Sequence, residues 1–502
     1  MLVWLPLLGA VMLALFPLVL RKLPGLPPDE YTQALRAPAW FTVVIGGSLS
    51  ALSLSALSAM SLPAGGDRVF TSVLGLPIMV DAYALWSNAI LGAALAVGAW
   101  VPAARRSIMP SPLFPYPIVL LLAWLAQIML FSFHYSVILC GWLLLLAGVA
   151  GLWFMLFRPR RRRDLELPLA LALVVLLSAI GLLWLNGLAH RDSLMNAWSI
   201  LSVADPRATN GIVLLLALGL LGPSIYLSWW LWPRRDERTM VWLPAVLPAS
   251  VAAQSAFIHV LYLTFPPAGE ELQRAAGVAP FFLIDRALGW ITSWGLLALL
   301  AGSGWLVFHA VMRSAPKVGR LRPLALVAAG VLLLGISVGV QSQQQGGISG
   351  LLWLQLSWMG ITCVWLASGG MLSALATAEQ SERTMVQIAC WMSLLVLMAI
   401  PPGPVYRGLA ALWEPMKELS VPRVLVAFTL VVAGLSAGFA LPRWFAQQAA
   451  PTPRAGAAWG IIGPFLLAFL LVALGVFGWL MSPLLDVIGH SLRQPYLKPL
   501  LP

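Results

Sequence analysis

The sequence predicts an all-α polytopic membrane protein of about fourteen transmembrane helices. Three observations predict it. Of 502 residues, 60% are hydrophobic and only 10% are charged, against about 25% charged in a soluble domain, and the mean hydropathy is +0.90. Apolar runs long enough to cross a bilayer recur along the whole chain; about 20 residues cover a hydrocarbon core of about 30 Å. Lys and Arg gather in the short connections between these runs, with a bias between alternate connections.

The runs fall near 2–20, 38–62, 80–102, 113–132, 135–157, 167–187, 209–232, 240–265, 286–312, 323–341, 349–376, 385–402, 421–441 and 457–482. The first has no basic start and runs into Arg21 and Lys22, so it is expected as a span and not a cleaved signal peptide. Asp81 stands at the start of the third run and Asp285-Arg286 at the start of the ninth, where acidic residues cap a helix. The fifth ends in the basic stretch from Arg158 to Arg163, an interface anchor. Pro401-Pro402 closes the twelfth. The longest connections, near 187–208, 266–285 and 403–420, hold about twenty residues each. They leave no room for a soluble domain, and the last is expected to form a short interfacial helix.

Fourteen spans put both termini on one side. The odd-numbered connections carry 20 Lys and Arg, and the even ones with the tail carry 10, Arg407 among the latter. Basic residues stay in the cytoplasm, so both termini are expected outside, in a bacterial cytoplasmic membrane. The net charge of +12 is therefore a topology signal and not a nucleic-acid footprint. Cys140, Cys363 and Cys390 lie in apolar runs without metal-ligand spacing and are expected as small buried residues. No phosphate loop, dinucleotide fingerprint, metal cluster or nucleophile triad stands out, so neither a cofactor nor a soluble substrate is expected.

Four motifs carry a resemblance. Val73 to Leu85 (VLGLPIMVDAYAL) is an extended segment ending in Asp81 at a helix start. Gly222 to Pro233 (GPSIYLSWWLWP) leads to Trp242 to Ser250 (WLPAVLPAS), and Trp365 to Gly369 reads WLASG. Met398 to Pro402 (MAIPP) leads to Val405-Tyr406. In this order and spacing the chain resembles the antiporter-like membrane subunits of respiratory complex I, across nearly its whole length. It departs from their pattern at Ala82 and Tyr83, where the family carries Gly-Leu.

The resemblance implies two inverted five-helix repeats, 113–265 and 286–441, with flanking helices over 1–112, a last helix over 457–482, and helices seven and twelve broken at Pro223 and Pro401-Pro402. It also implies a proton path built on intramembrane Glu and Lys. Read across residue by residue, the family's helix-five Glu falls on Cys140 or Gly141 and its helix-seven Lys on Pro223. The titratable pair of helix eleven falls on Ser357 and Ile361, and the helix-twelve Lys on Leu409. Ionisable residues at mid-membrane are kept where function needs them, and here they are missing. His259 and Gln254, with His134 nearer a span end, are the local candidates for a proton relay. Gln127, Gln254 and Gln355 are expected to bond across helices, and His309 to reach an interface.

The resemblance thus implies a non-pumping, antiporter-like scaffold in the membrane arm of a complex I-type NADH:quinone oxidoreductase. Its partners would be neighbouring membrane subunits and lipids. The alternatives are a conducting member rewired through His259 and Gln254, or the equivalent subunit of a membrane-bound hydrogenase, a cation/proton antiporter or an inorganic-carbon uptake complex. An unrelated transporter would need a charged mid-membrane substrate site.

Overall fold

The computed structural model describes residues 2–21, 36–60, 69–73, 75–104, 115–157, 166–188, 206–222, 225, 237–264, 285–311, 322–342, 345–372, 380–397, 399–446 and 459–493. A helix lies over each predicted run. In chain order these are α1 (Leu5–Arg21), α2 (Ala37–Ala59), α3 (Ala82–Ala104), α4 (Pro115–Phe131), α5 (Tyr135–Phe157) and α6 (Glu166–Leu188). Then come α7 (Pro206–Leu216), α8 (Glu237–Thr264), α9 (Asp285–Val311), α10 (Arg322–Gln341) and α11 (Gln345–Leu372). The last are α12 (Gln380–Leu397), α13 (Pro404–Glu418), α14 (Arg423–Ala446), α15 (Trp459–Val476) and α16 (Gly478–Arg493). Among the described residues, seven helices are long and apolar enough to cross a membrane by themselves, α2, α3, α5, α8, α9, α10 and α11.

The extended segment before α3 is a hairpin, β1 (Val69–Val73) against β2 (Leu76–Val80), antiparallel with Val73 opposite Leu76 and Val69 opposite Val80. Gly75 closes its two-residue turn at φ 78°, a left-handed conformation that glycine adopts freely. The hairpin delivers the chain to Asp81, whose Oδ1 accepts the Ala84 N–H at 2.7 Å and caps α3.

Without a hydrophobic drive between helices in lipid, close backbone approach supplies the packing. The sequence provides it with facing glycines. A Cβ on Gly46 of α2 would lie 2.7 Å from the Gly92 carbonyl of α3, and one on Gly92 would lie 2.6 Å from the Gly46 carbonyl. Gly295 of α9 and Gly330 of α10 meet in the same way. Two core tryptophans find polar partners for their indole N–H: Trp142 Nε1 donates to Ser178 Oγ at 2.9 Å and Trp242 Nε1 to the Val149 carbonyl at 3.1 Å.

Two helix interruptions matter below. The chain leaves α12 at Leu397, passes Pro401-Pro402 and restarts as α13 at Pro404. The segment expected as an interfacial helix is thus α13. It packs on α11 with Val405, Leu409, Leu412 and Met416 buried. The last apolar run is bent: α16 leaves α15 at 79°. It then packs against α3, α8 and α11, with Gln345 Nε2 donating to Asp486 Oδ1 at 2.7 Å. α7 loosens into a π-turn over Ala217–Leu221, and Pro223 lies outside the described residues.

Candidate functional site: a buried polar network around Asp81 and His259

The start of α3, the C-terminal half of α8 and the middle of α11 meet in a polar cluster. His259 Nε2 donates to Asp81 Oδ2 at 3.1 Å, and each side chain is 2% exposed. The Tyr83 ring stands 5.7 Å from the His259 ring, centre to centre. Gln355 Nε2 of α11 donates to Ser255 Oγ of α8 at 3.0 Å and to the Tyr83 hydroxyl at 3.4 Å. Gln355 Oε1 is buried with no hydrogen-bond partner among the described residues, so the cluster retains one acceptor for water; Gln254 Nε2 of α8 is likewise buried without a partner among them. Chemically the cluster can hold a proton on His259 against a carboxylate already bonded by a backbone N–H.

Further along α3, Asn88 Nδ2 donates to Ser53 Oγ at 2.8 Å and Gln127 Nε2 donates to Asn88 Oδ1 at 2.9 Å. Within the apolar span of α8, Trp242–Thr264, the polar residues are confined to the C-terminal side. Ser250, Gln254, Ser255, His259 and Thr264 are buried there, whereas Trp242 to Ala249 is apolar throughout. On α3 the residues from Ala89 to Ala99 are apolar as well. His259 lies five residues from the end of α8, about 7 Å along the axis.

The relay candidates divide. His259 belongs to this cluster, whereas Gln254, 1% exposed, stands about 140° round α8 from it. His134 does not join it; its ring lies 4.5 Å from that of Phe133 in the turn before α5. Of the positions aligned with the family's charges, Gly141 is buried beside Met129, whereas Cys140 is exposed. The expectation that Cys140 is buried is thereby corrected: the register of α5 turns its neighbour inward instead. Cys363 is buried, and the side chains of Cys390 and His309 lie outside those described. Ser357 is buried with its Oγ bonded to the Trp353 carbonyl at 2.6 Å. Ile361 is 1% and Leu409 9% exposed. Sequence reasoning took Asp81 for a cap alone and missed Tyr83. The Gln127 and Gln355 cross-helix bonds are as expected, whereas the amide nitrogen of Gln254, expected to do the same, has no partner among the described residues.

No family model and no curated protein matches this chain. Solved structures do. A chain of respiratory complex I from Thermus thermophilus with bound NADH aligns with a TM-score of 0.68 at 18% identity, covering 98% of this chain and 99% of that one. A chain of the Mrp complex from Dietzia sp. gives 0.69 at 14% identity, covering 99% and 98%. A chain of the membrane-bound sulfane sulfur reductase, an archaeal respiratory membrane complex, gives 0.68 at 13% identity, covering 98% and 97%. The fold is shared with these membrane-complex chains from end to end.

Proposed function

We propose that this chain is an antiporter-like membrane-arm subunit of a complex I-type NADH:quinone oxidoreductase, and that it does not pump. It spans fourteen times, with both termini outside. Its inverted repeats are 113–265 and 286–441. The recurring packing supports the repeats: α4 pairs with α5 and α8 as α9 pairs with α10 and α14, and α5 with α6 as α10 with α11. The observation that supports the non-pumping reading is the apolar stretch inside α8: between Glu237-Arg238-Thr239 at its start and Ser250, residues 240–249 offer nothing for a proton to hop on. Cys140, Gly141, Pro223, Ser357, Ile361 and Leu409 supply no titratable group of mid-membrane use either.

The test is the double variant Asp81→Asn/His259→Gln, which keeps a hydrogen bond and removes titration. The assembled complex should retain its full proton-to-electron ratio. A drop by one subunit's share, with assembly intact, favours the second reading. That reading is a conducting subunit with a path through Asp81, His259, Gln254 and water, and the unfilled Gln254 Nε2 and Gln355 Oε1 speak for it. The equivalent subunit of a membrane-bound hydrogenase, cation/proton antiporter or inorganic-carbon uptake complex would have the same fold. The electron donor of the co-purified complex separates these.

A further inference from the structure

The α12–α13 break and the α15–α16 bend lie side by side at one depth. A Cβ on Gly475 would lie 2.3 Å from the Pro402 carbonyl and 2.8 Å from Gly403 Cα. Their level can be read on α11, which begins at Gln345. Gly408 packs on Leu354, and Gly360 packs on Leu471. These α11 positions are 9 and 15 residues below its start, about 14 and 22 Å along the axis. The break therefore sits near the middle of a bilayer about 30 Å thick.

Arg407 stands at this level. Its Nε donates to the Gly475 carbonyl and its Nη2 to the Val476 carbonyl at 3.3 Å. These bonds tie the guanidinium to the end of α15, so the side chain does not extend to the membrane surface. Two bonds leave the Nη1 edge of the fork unused, and Arg407 is only part-buried. Among the described residues no carboxylate pairs with it. Glu414, the next acidic residue on α13, is seven positions on, about 10 Å along the axis. Around Arg407 the surface is apolar and aromatic: Tyr406 is 42%, Phe477 52% and Trp479 66% exposed. A partly exposed arginine at mid-membrane is costly against lipid and is kept where it has a partner. Arg, Tyr and Trp are also the residues that anchor protein interfaces.

We propose that this face docks a transmembrane helix of another subunit, and that the helix carries an Asp or Glu level with the break to meet Arg407. The proposal rests on the multi-subunit reading above. Lipid phosphates lie at the bilayer surface, out of reach of a guanidinium held at this depth, so a protein carboxylate is the fitting anion.

The test places the photo-crosslinking amino acid p-benzoylphenylalanine at Trp479 in the otherwise native chain, in native membranes. Mass spectrometry should find it joined to a membrane helix of a different polypeptide, with Asp or Glu within one helical turn of the crosslink. Arg407→Glu should then lower the yield of intact complex at least about tenfold, and reversing the partner's acid to Lys should restore it. Crosslinks to lipid alone, to a second copy of this chain, or to a helix without an acidic residue would overturn the proposal. So would native assembly of the Arg407→Glu chain. If that variant fails to accumulate, the crosslink decides, because it leaves Arg407 in place. A functional monomer would defeat the multi-subunit reading itself; assembly through another face would defeat this inference alone.

Discussion

Replacing Asp81 by Ala should be among the most damaging single substitutions in the chain. It leaves His259, 2% exposed, facing an empty position. Breaking a buried pair by removing one partner costs about 3–5 kcal/mol. The same change removes the cap on α3, because Oδ1 is the acceptor for the Ala84 N–H. Thermal unfolding in mild detergent, followed through tryptophan fluorescence, should show a fall of many degrees. Asp81→Asn/His259→Gln should recover most of it, since an amide pair can keep the hydrogen bond without charge. Equal loss in the single and double variants would show that shape, and not the pair, sets the stability.

The second large effect is expected at the crossing of α2 and α3. A Cβ at Gly46 would come within 2.6 Å of the Ala96 nitrogen and 2.7 Å of the Gly92 carbonyl. Both are backbone atoms, so no side chain can turn aside. Overpacking costs about 1–3 kcal/mol, and Gly46→Ala should lie at the upper end of that range. Gly46→Leu should force the helices apart and break the Ser50 Oγ bond to the Ala89 carbonyl, 2.7 Å, and the Asn88–Ser53 bond, 2.8 Å. Gly47 supplies the control: a Cβ there meets nothing within 4 Å. Gly47→Leu should accumulate in membranes as the native chain does. A Gly47 variant as damaging as the Gly46 variant would mean that helix propensity, not the crossing, is being measured.

The helices were legible in the sequence because long apolar runs have few alternatives to a membrane helix. The β-hairpin was legible as an extended segment ending at Asp81. What each helix faces was not. α5 is apolar almost all round, so its sequence carries no stripe to distinguish Gly141, turned inward, from Cys140, turned out. The bend between α15 and α16 was hidden for a similar reason: the apolar run continues through Val476-Phe477-Gly478-Trp479 without a proline or a charge. Arg407 was counted as an outer loop residue because it follows Pro401-Pro402, yet it belongs to a helix and bonds the carbonyls of another. The Asp81–His259 pair was beyond local reading altogether. A capping aspartate and a solitary histidine each have an ordinary explanation, and only the tertiary fold brings them together.

That separation also has a timetable. Asp81 and His259 are 178 residues apart, and at about 5–20 residues per second a ribosome needs roughly 9–36 s to add that length. Throughout this interval the nascent chain holds the carboxylate and its bond to the Ala84 amide without His259. The contact that joins the head of α3 to α8 can therefore close only after α8 has been made, and a chain stalled short of His259 cannot form it.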